Sequence, residues 1–376
     1  MQTRAGRYIQ QPTGYRAFIP RPLPPDPPLD YGRLAAMLAE ASEAVGRLDG
    51  IAAFLPDPTQ FVFMYVRREA ELSSRIEGAE STIDDMLVFE VRQDPGNLPG
   101  DVREVVNYVR ALNYGIQRLE SLPLSNRLIR EMHAVLMEGV RGHERSPGEF
   151  RTSQNWIGRP GATLAEATYV PPPPLELPQA MGDLEQFLHR PGGIPSLLHA
   201  GLAHAQFEIV HPFLDGNGRV GRLLITLLLQ HHGILRYPLL YLSSHLQAFR
   251  SEYYAWLNAI RERGDWEGWL LFFLRGVAET AGAAVATSRN VVELRARDRA
   301  RVAEQPLRAG LTALDFLYTT PVTSIGVLAE QVDMPFSTAS TLVSRFEELG
   351  ILREITGRQR DRLYRYDAYV DLFRRG

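Results

Sequence analysis

Apolar residues recur along most of the chain with the three-and-four spacing of one helix face. "RLAAMLAEASEAVGRL" (33–48) and "TQFVFMYVRREAELSSRIEG" (59–78) predict two helices, the second stopped at Gly78. "DVREVVNYVRALNYGIQRLE" places Val102, Val105, Val106, Val109 and Leu112 on one face. "SNRLIREMHAVLMEGV" follows, with Ser125 or Asn126 as its cap. Between Phe150 and Pro174 the period changes: "FRTSQNWIG" and "ATYVPPPP" are short β-like runs around "RPGATLAE", the pattern of a hairpin flap. Helices are predicted again at about 178–190, 195–209 and 219–232, and in "SEYYAWLNAIRERG" and "DWEGWLLFFLRGVAETAGAAVA".

The two ends differ from this helical middle. The first 30 residues close on "PRPLPPDPPLD", which predicts an extended proline-rich arm. From about residue 305, "LRAGLTALDFLYTT", "TSIGVLAEQVD" and "STASTLVSRFEELG" predict three short helices. "ILREIT", "GRQRD" and "RLYRYD" then read as strand, turn and strand, the order of a winged helix-turn-helix module. The expected protein is mostly α, with a flap in its core. The expected division is 1–100 for the arm and first helices, 101–300 for the helical core and 305–376 for the winged helix. No repeat of fixed period is visible.

Composition removes several chemistries. Of 376 residues, 45% are hydrophobic and 23% charged, with a net charge of −3, so no global field draws the chain to nucleic acid or membrane. Without cysteine there are no disulfides, thiol nucleophiles or thiolate zinc sites. All 41 basic residues are arginine, which excludes a P-loop lysine and any lysine Schiff base. The chain shows neither a charged-then-apolar leader nor an unbroken apolar run approaching ~18 residues, so a cytoplasmic protein outside the membrane is expected.

The candidate chemistry lies in "HPFLDGNGRVGR", residues 211–222, between two apolar helices. Pro212 ends the first helix. Gly216, Asn217 and Gly218 let backbone N–H groups converge ahead of the second, an anion cradle at a helix N-terminus. Arg219 and Arg222 flank Val220 and Gly221 on that first turn, where two cations make sense if a polyphosphate occupies it. Asp215 beside the cradle suits a Mg2+ bridged to phosphate oxygens. His211 has the pKa range for proton transfer.

Every fixed position of this stretch matches the signature HPFx(D/E)GNGRxxR, and the chain resembles the Fic (filamentation induced by cAMP) family over roughly residues 100–300. The resemblance implies transfer of AMP from ATP to a hydroxyl of a target protein. His211 would be the base for a Ser, Thr or Tyr hydroxyl and Asp215 the Mg2+ ligand. The backbone at Gly216, Asn217 and Gly218 would take the α- and β-phosphates, Arg219 the β- and Arg222 the γ-phosphate. Departures seen in phosphorylating Doc toxins are absent. Targets would dock on the flap edge at Asn155, Trp156, Ile157 and Gly158. Tyr253 or Tyr254 would lie near the adenine, or serve as ordinary core aromatics.

Further upstream, "SSRIEG" fits the family's inhibitory motif (S/T)xxxE(G/N) through Ser73, Glu77 and Gly78. Ser73 and Glu77 share a helix face, and a glutamate in a last turn opposes the helix dipole and needs a cation. The resemblance supplies Arg222 as that cation, with Glu77 excluding the γ-phosphate. Two rival functions remain: removal of AMP, with Glu77 aligning a water, and a nucleotide-sensing transcription regulator with the winged helix as output. From Pro306 onward nine arginines meet nine acidic residues, so DNA and protein are both open as partners of the winged helix. Self-modification and a homodimer are further expectations.

Overall fold

The computed structural model describes residues 2–374 apart from 13, 53, 54, 56, 57, 93–99, 160 and 308. Residues 2–20 are not merely an extended arm. They form a three-stranded antiparallel sheet of β1 (Gln2–Thr3), β2 (Gly6–Gln10) and β3 (Arg16–Pro20), with Tyr8 opposite Phe18. Phe18 is fully buried and its N–H donates to the Val170 carbonyl at 2.9 Å, so the sheet is welded to the flap. Arg4 donates to Glu267 at 3.0 Å and Gln206 to the Arg21 carbonyl at 2.9 Å, strapping the arm across the core. The proline-rich stretch beyond β3 carries no helix before Tyr31, in line with its missing N–H donors.

The helices follow as α1 (Tyr31–Ala52), α2 (Pro58–Ile76), α3 (Ile83–Arg92), α4 (Gly100–Arg118) and α5 (Asn126–Leu136). Ser125 caps α5, its Oγ accepting from the Leu128 N–H at 3.4 Å. After the flap come α6 (Leu177–His189), α7 (Ser196–Val210), α8 (Asn217–His231), α9 (Ser243–Ala248), α10 (Arg250–Arg263) and α11 (Trp266–Ala303). The short helices α3 and α9 are additions to the predicted set.

Every residue of α7 from Leu197 to Val210 is buried, because α6, α8, α10 and α11 pack around it. It is the axis of the core, and the functional loop starts at its end. The 38-residue α11 runs well past the predicted segment. Val291, Leu294, Asp298 and Val302 keep a buried stripe on its polar second half, where α1 and α12 (Gly310–Leu317) cover it. By length and composition α11 could cross a bilayer, but half of its most apolar window lies inside this chain's own core.

The predicted flap hairpin is reduced to a single antiparallel bridge, Ile157 to Tyr169, followed by the prolines 171–174 that cannot extend a ladder. Beyond α12 the order is β4 (Val322–Thr323), α13 (Ile325–Gln331), α14 (Phe336–Glu348), β5 (Arg353–Glu354), β6 (Tyr364–Arg365) and α15 (Asp367–Val370). The three strands form an antiparallel sheet of order β4-β6-β5. This C-terminal part packs on the helices leading to the site: the Phe373 ring lies 5.2 Å from Tyr65 of α2, and Arg365 reaches Asp84 of α3 at 3.1 Å.

Candidate active site

Helix α7 ends at His211, which adopts the left-handed conformation at φ 49° and turns the chain out of the helix. The loop that follows is closed by Asn217. Its Oδ1 accepts from the Phe213 N–H and its Nδ2 donates to the Phe213 carbonyl, both at 2.8 Å. Gly216, at φ 74°, then caps α8, which begins at Asn217, two residues before the predicted start. His133 holds the loop from below: it accepts the Gly148 N–H at Nδ1 (2.8 Å), so Nε2 carries the proton donated to the Asp215 carbonyl at 3.1 Å. Its ring stacks 3.7 Å from Phe213.

Two residues sew the flap to this loop. Arg151 is buried and donates to the carbonyls of His211 (2.9 Å) and Pro172 (2.6 Å). Asn155 donates to the Phe213 carbonyl at 2.8 Å and to that of His211 at 3.3 Å. Of the four predicted flap residues, Asn155 therefore faces the loop, while Trp156, Ile157 and Gly158 are exposed on the outside. Sequence reasoning missed Arg151 and His133, whose partners are backbone groups of distant segments and leave no motif.

The cradle at the start of α8 faces a carboxylate. Glu77, just past the end of α2, accepts from Arg222: Nη2 donates to Oε1 at 2.8 Å. Arg222 also donates through Nε to Ser73 Oγ at 2.7 Å and through Nη2 to the Ser73 carbonyl at 2.9 Å. Glycine at 218 lets the carboxylate sit against the turn, since a Cβ there would stand 2.2 Å from Glu77 Oε1. The anion over the first turn of α8 is thus the side chain of Glu77, with Gly78 at φ 97° turning the chain away after it. The Arg222 side chain is 2% exposed and that of Glu77 36%, so the pair is a buried cation met from the solvent side.

Arg219 departs from the expectation that both arginines point at one ligand. It is buried and pairs with Glu104 of α4 at 3.1 Å. The two arginines diverge because α4 and α2 each offer a carboxylate on a different side of α8. The Val220 side chain is buried in the core, so only its backbone borders the cradle. Tyr253 and Tyr254 separate cleanly: Tyr253 is 1% exposed, while Tyr254 is 39% exposed. His204 must donate Nδ1–H to the Gly221 carbonyl (2.9 Å), so its Nε2 accepts the Tyr253 hydroxyl at 3.0 Å.

Asp215 Oδ1 accepts the Gly216 N–H at 2.7 Å, and Oδ2 lies 3.6 Å from Arg145. Gly142 leaves room beside it, since a Cβ there would come within 2.8 Å of Oδ2. Among the described residues no cluster of three or more His, Asp or Glu could hold a metal ion. A lone, solvent-reaching carboxylate fits Mg2+ that keeps waters and shares substrate phosphates, rather than a cation caged by protein.

Electrostatics divide the titrating groups. Burial, reinforced by Arg151, brings the His211 imidazole down to about 4, so it is neutral at physiological pH. Its Nδ1 has no hydrogen-bond partner among the described residues. Burial would raise Glu77, but Arg222 outweighs it and holds the carboxyl below its usual range. Burial would likewise lower Arg222, and Glu77 reverses this. The pair is therefore ionised at neutral pH and comes apart as pH falls through the depressed Glu77 value.

Two family models match the chain: Fic/DOC family N-terminal over residues 35–117 and Fic/DOC family over 123–229. Similar curated proteins include the protein adenylyltransferase Fic of Nematostella vectensis, 27% identical over 226 residues. That match spans 57% of this chain and 48% of the relative. The protein adenylyltransferase Fic of Drosophila willistoni is 28% identical over 242 residues, spanning 63% and 44%. The chain thus spans about half the length of these relatives or less. Among solved structures, a Fic family protein from Desulfovibrio desulfuricans aligns with a TM-score of 0.59 at 20% identity, over 93% of this chain and 98% of that one. Fic-1 from C. elegans aligns at 0.52 and 23% identity, over 69% and 73%. At such identities the structures establish the fold alone. The chain belongs to the Fic/DOC family.

Proposed function

We propose that this chain is a protein adenylyltransferase that moves AMP from ATP to a hydroxyl of a target protein and is restrained by Glu77. The single observation that carries the reading is the Glu77 carboxylate seated over Gly218 and bonded to Arg222, where a phosphate of ATP would otherwise lie. A helix N-terminus occupied by the chain's own anion is a phosphate site under competition. The names of the curated relatives support adenylyl rather than phosphoryl transfer.

In this reading His211 takes the proton from the target hydroxyl as its oxygen attacks the α-phosphorus, and pyrophosphate leaves with the broken anhydride bond. The neutral imidazole is ready for that role, and the charge of a bound triphosphate opposes the lowering of its pKa. Arg151 and Asn155, both bonded to the His211 carbonyl, keep the ring at the foot of the flap. Asp215 is the residue to hold Mg2+, which when bound neutralises phosphate charge. Extended target segments would pair with the open edge at Ile157, whose other side is closed by Tyr169 and, through Val170, by β3. Removal of AMP, with Glu77 aligning a water, would use the same site, and the names of the curated relatives favour transfer. With ATP labelled on the α-phosphate, label is expected in protein, the chain itself included. Label entering only from the γ-phosphate would overturn the assignment in favour of phosphorylation.

We read the C-terminal part as a winged helix, supported by helices α12–α14 and the β4-β6-β5 sheet order. Its wing exposes Arg358, Arg360 and Arg362, while α14 exposes Ser337, Thr341 and Ser344, and its Arg345 is paired with Glu348. Weak duplex binding is expected, falling as salt rises from 50 to 200 mM by about the counterion release of two or three phosphate contacts. Replacing the three wing arginines should abolish it. Undiminished binding by that triple variant would place the contact elsewhere.

A further inference from the structure

Glu208 is a buried carboxyl that the proposed mechanism leaves without a task. It lies on α7 one turn before His211 and is 7% exposed. Its Oε1 has no hydrogen-bond partner among the described residues, and a Cβ on Gly221 of α8 would come within 2.4 Å of it. Glycine at 221 thus lets the carboxyl lie directly against the first turn of α8. Leaving a buried acceptor unpaired is costly, and a buried unpaired carboxylate far more so.

Every element packed around this carboxyl contributes to its surroundings. Arg222 comes from α8, Arg261 and Tyr253 from α10, Glu77 from the end of α2, and His204 and His211 from α7 itself. Trp269 of α11, stacked 5.9 Å from His204, carries no charge. The Tyr253 hydroxyl is committed to His204. Arg222 spends its bonds on Ser73 and Glu77, and Arg261 lies over the Tyr169 ring at 3.7 Å. Two guanidinium groups are therefore close to Glu208 and neither is bonded to it.

We infer that Glu208 is a positioning residue of the phosphate site: as a neutral acid it leaves Arg222 to a terminal phosphate, and as a carboxylate it draws Arg222 to itself and repels that phosphate. The inference rests on the nucleotide site proposed above and adds a residue that acts through Arg222. Burial, with Glu77 adding to it and Arg222 opposing, raises the Glu208 carboxyl to about 7, so the change of state falls in the physiological range. Two anions, Glu77 and Glu208, compete for one arginine. A bound triphosphate brings more negative charge beside Glu208 than Glu77 alone supplies and holds the proton there, so nucleotide binding takes up a proton near neutrality.

Two measurements test this in the full chain. The first needs no nucleotide. A carboxyl raised in the folded state contributes stability that is lost as pH rises from the ordinary carboxylate range through about 7. The melting temperature of Glu208→Gln should therefore climb relative to wild type between pH 5 and pH 8. A difference that stays constant with pH would mean the acid is not held neutral, and would end the inference.

The second is ATP affinity from pH 5.5 to 8.5 in Glu77→Gly protein, with and without Glu208→Gln. Loss of Glu77 moves the free-state window to lower pH, which the wide range covers. The ratio of the two Kd values at each pH removes the titration of ATP itself, and it should change by about three- to tenfold across the range. Glu208→Asp, which keeps a titrating carboxyl, should return the pH dependence in part. If Glu208→Gln fails to fold, Glu208→Leu replaces it as the neutral variant. Normal ATP binding with a pH-independent ratio would remove Glu208 alone. No ATP binding by Glu77→Gly protein at any pH would remove the nucleotide site itself and the inference with it.

Discussion

AMP transfer at saturating ATP should rise about tenfold to a thousandfold when Glu77 is replaced by glycine, a barrier change of ~1.4 to 4 kcal/mol. In the wild-type arrangement Arg222 is spent on Glu77 and Ser73, and the carboxylate stands over Gly218. ATP that binds under those conditions meets a negative charge where its terminal phosphate belongs, and its α-phosphorus is held away from His211. Removing the carboxylate leaves Arg222 with its two Ser73 bonds, which orient the guanidinium without neutralising it. The gain belongs in turnover, because the freed arginine holds the phosphate in the reactive pose. The upper end of the range is bounded by solvent: Glu77 is about one-third exposed, so screening weakens the pair it makes. Arg222→Ala in the Glu77→Gly background should return the rate to near wild type. Equal transfer by wild type and Glu77→Gly at saturating ATP would mean that the ion pair is only a helix end docked on a neighbour.

Replacing His211 by alanine should cost about 10²- to 10⁴-fold in AMP transfer while leaving ATP affinity within a few-fold. The cradle, Asn217 and both arginines are untouched by the change, and the Arg151 bond is to the His211 carbonyl rather than its ring. The acid limb has a worked sign. A base brought down to about 4 is unprotonated above that pH, so kcat/KM should fall only as pH drops through about 4. In Glu77→Gly protein the limb should move lower still, because Glu77 is one of the charges that raise His211. An imidazole of ordinary pKa in this loop would instead lose rate near 6.5. Full transfer by His211→Ala would take the histidine out of the mechanism.

What could be read along the chain and what could not divides by the range of the interactions. The turn at 211–218 is local: His211 and Gly216 take left-handed conformations, and the Asn217 side chain closes on Phe213 four residues away. Such geometry is written in residue type and spacing, so His211, Asp215 and the glycine cradle were legible without a fold. The same holds for the helices α12–α14, whose periodicity matches their short lengths. Ser73, Glu77 and Gly78 were visible as a motif, but the partner of Glu77 came from family resemblance, not from anything within reach along the chain.

Packing decided the rest. Ser73 and Glu77 reach Arg222 across about 150 residues because α2 lies between α4, α8 and α9. Arg219 turns to Glu104 since α4 offers a carboxylate there, which no spacing within "GNGRVGR" reveals. The N-terminal sheet is held by the Val170 carbonyl and by Glu267, so a segment whose prolines suggested an open arm became a buttress of the flap. Burial depends on neighbours, and so do the charges it shifts: His211 owes its lowered pKa to burial and Arg151 of the flap, and Glu208 its raised one to burial beside Glu77. The sequence by itself determined the turn at 211–218 and the residue types it presents, because backbone turns and side-chain chemistry are local. Only the tertiary structure decided which charges meet and which stay protonated, because desolvation and ion pairing are set by groups far apart in the chain.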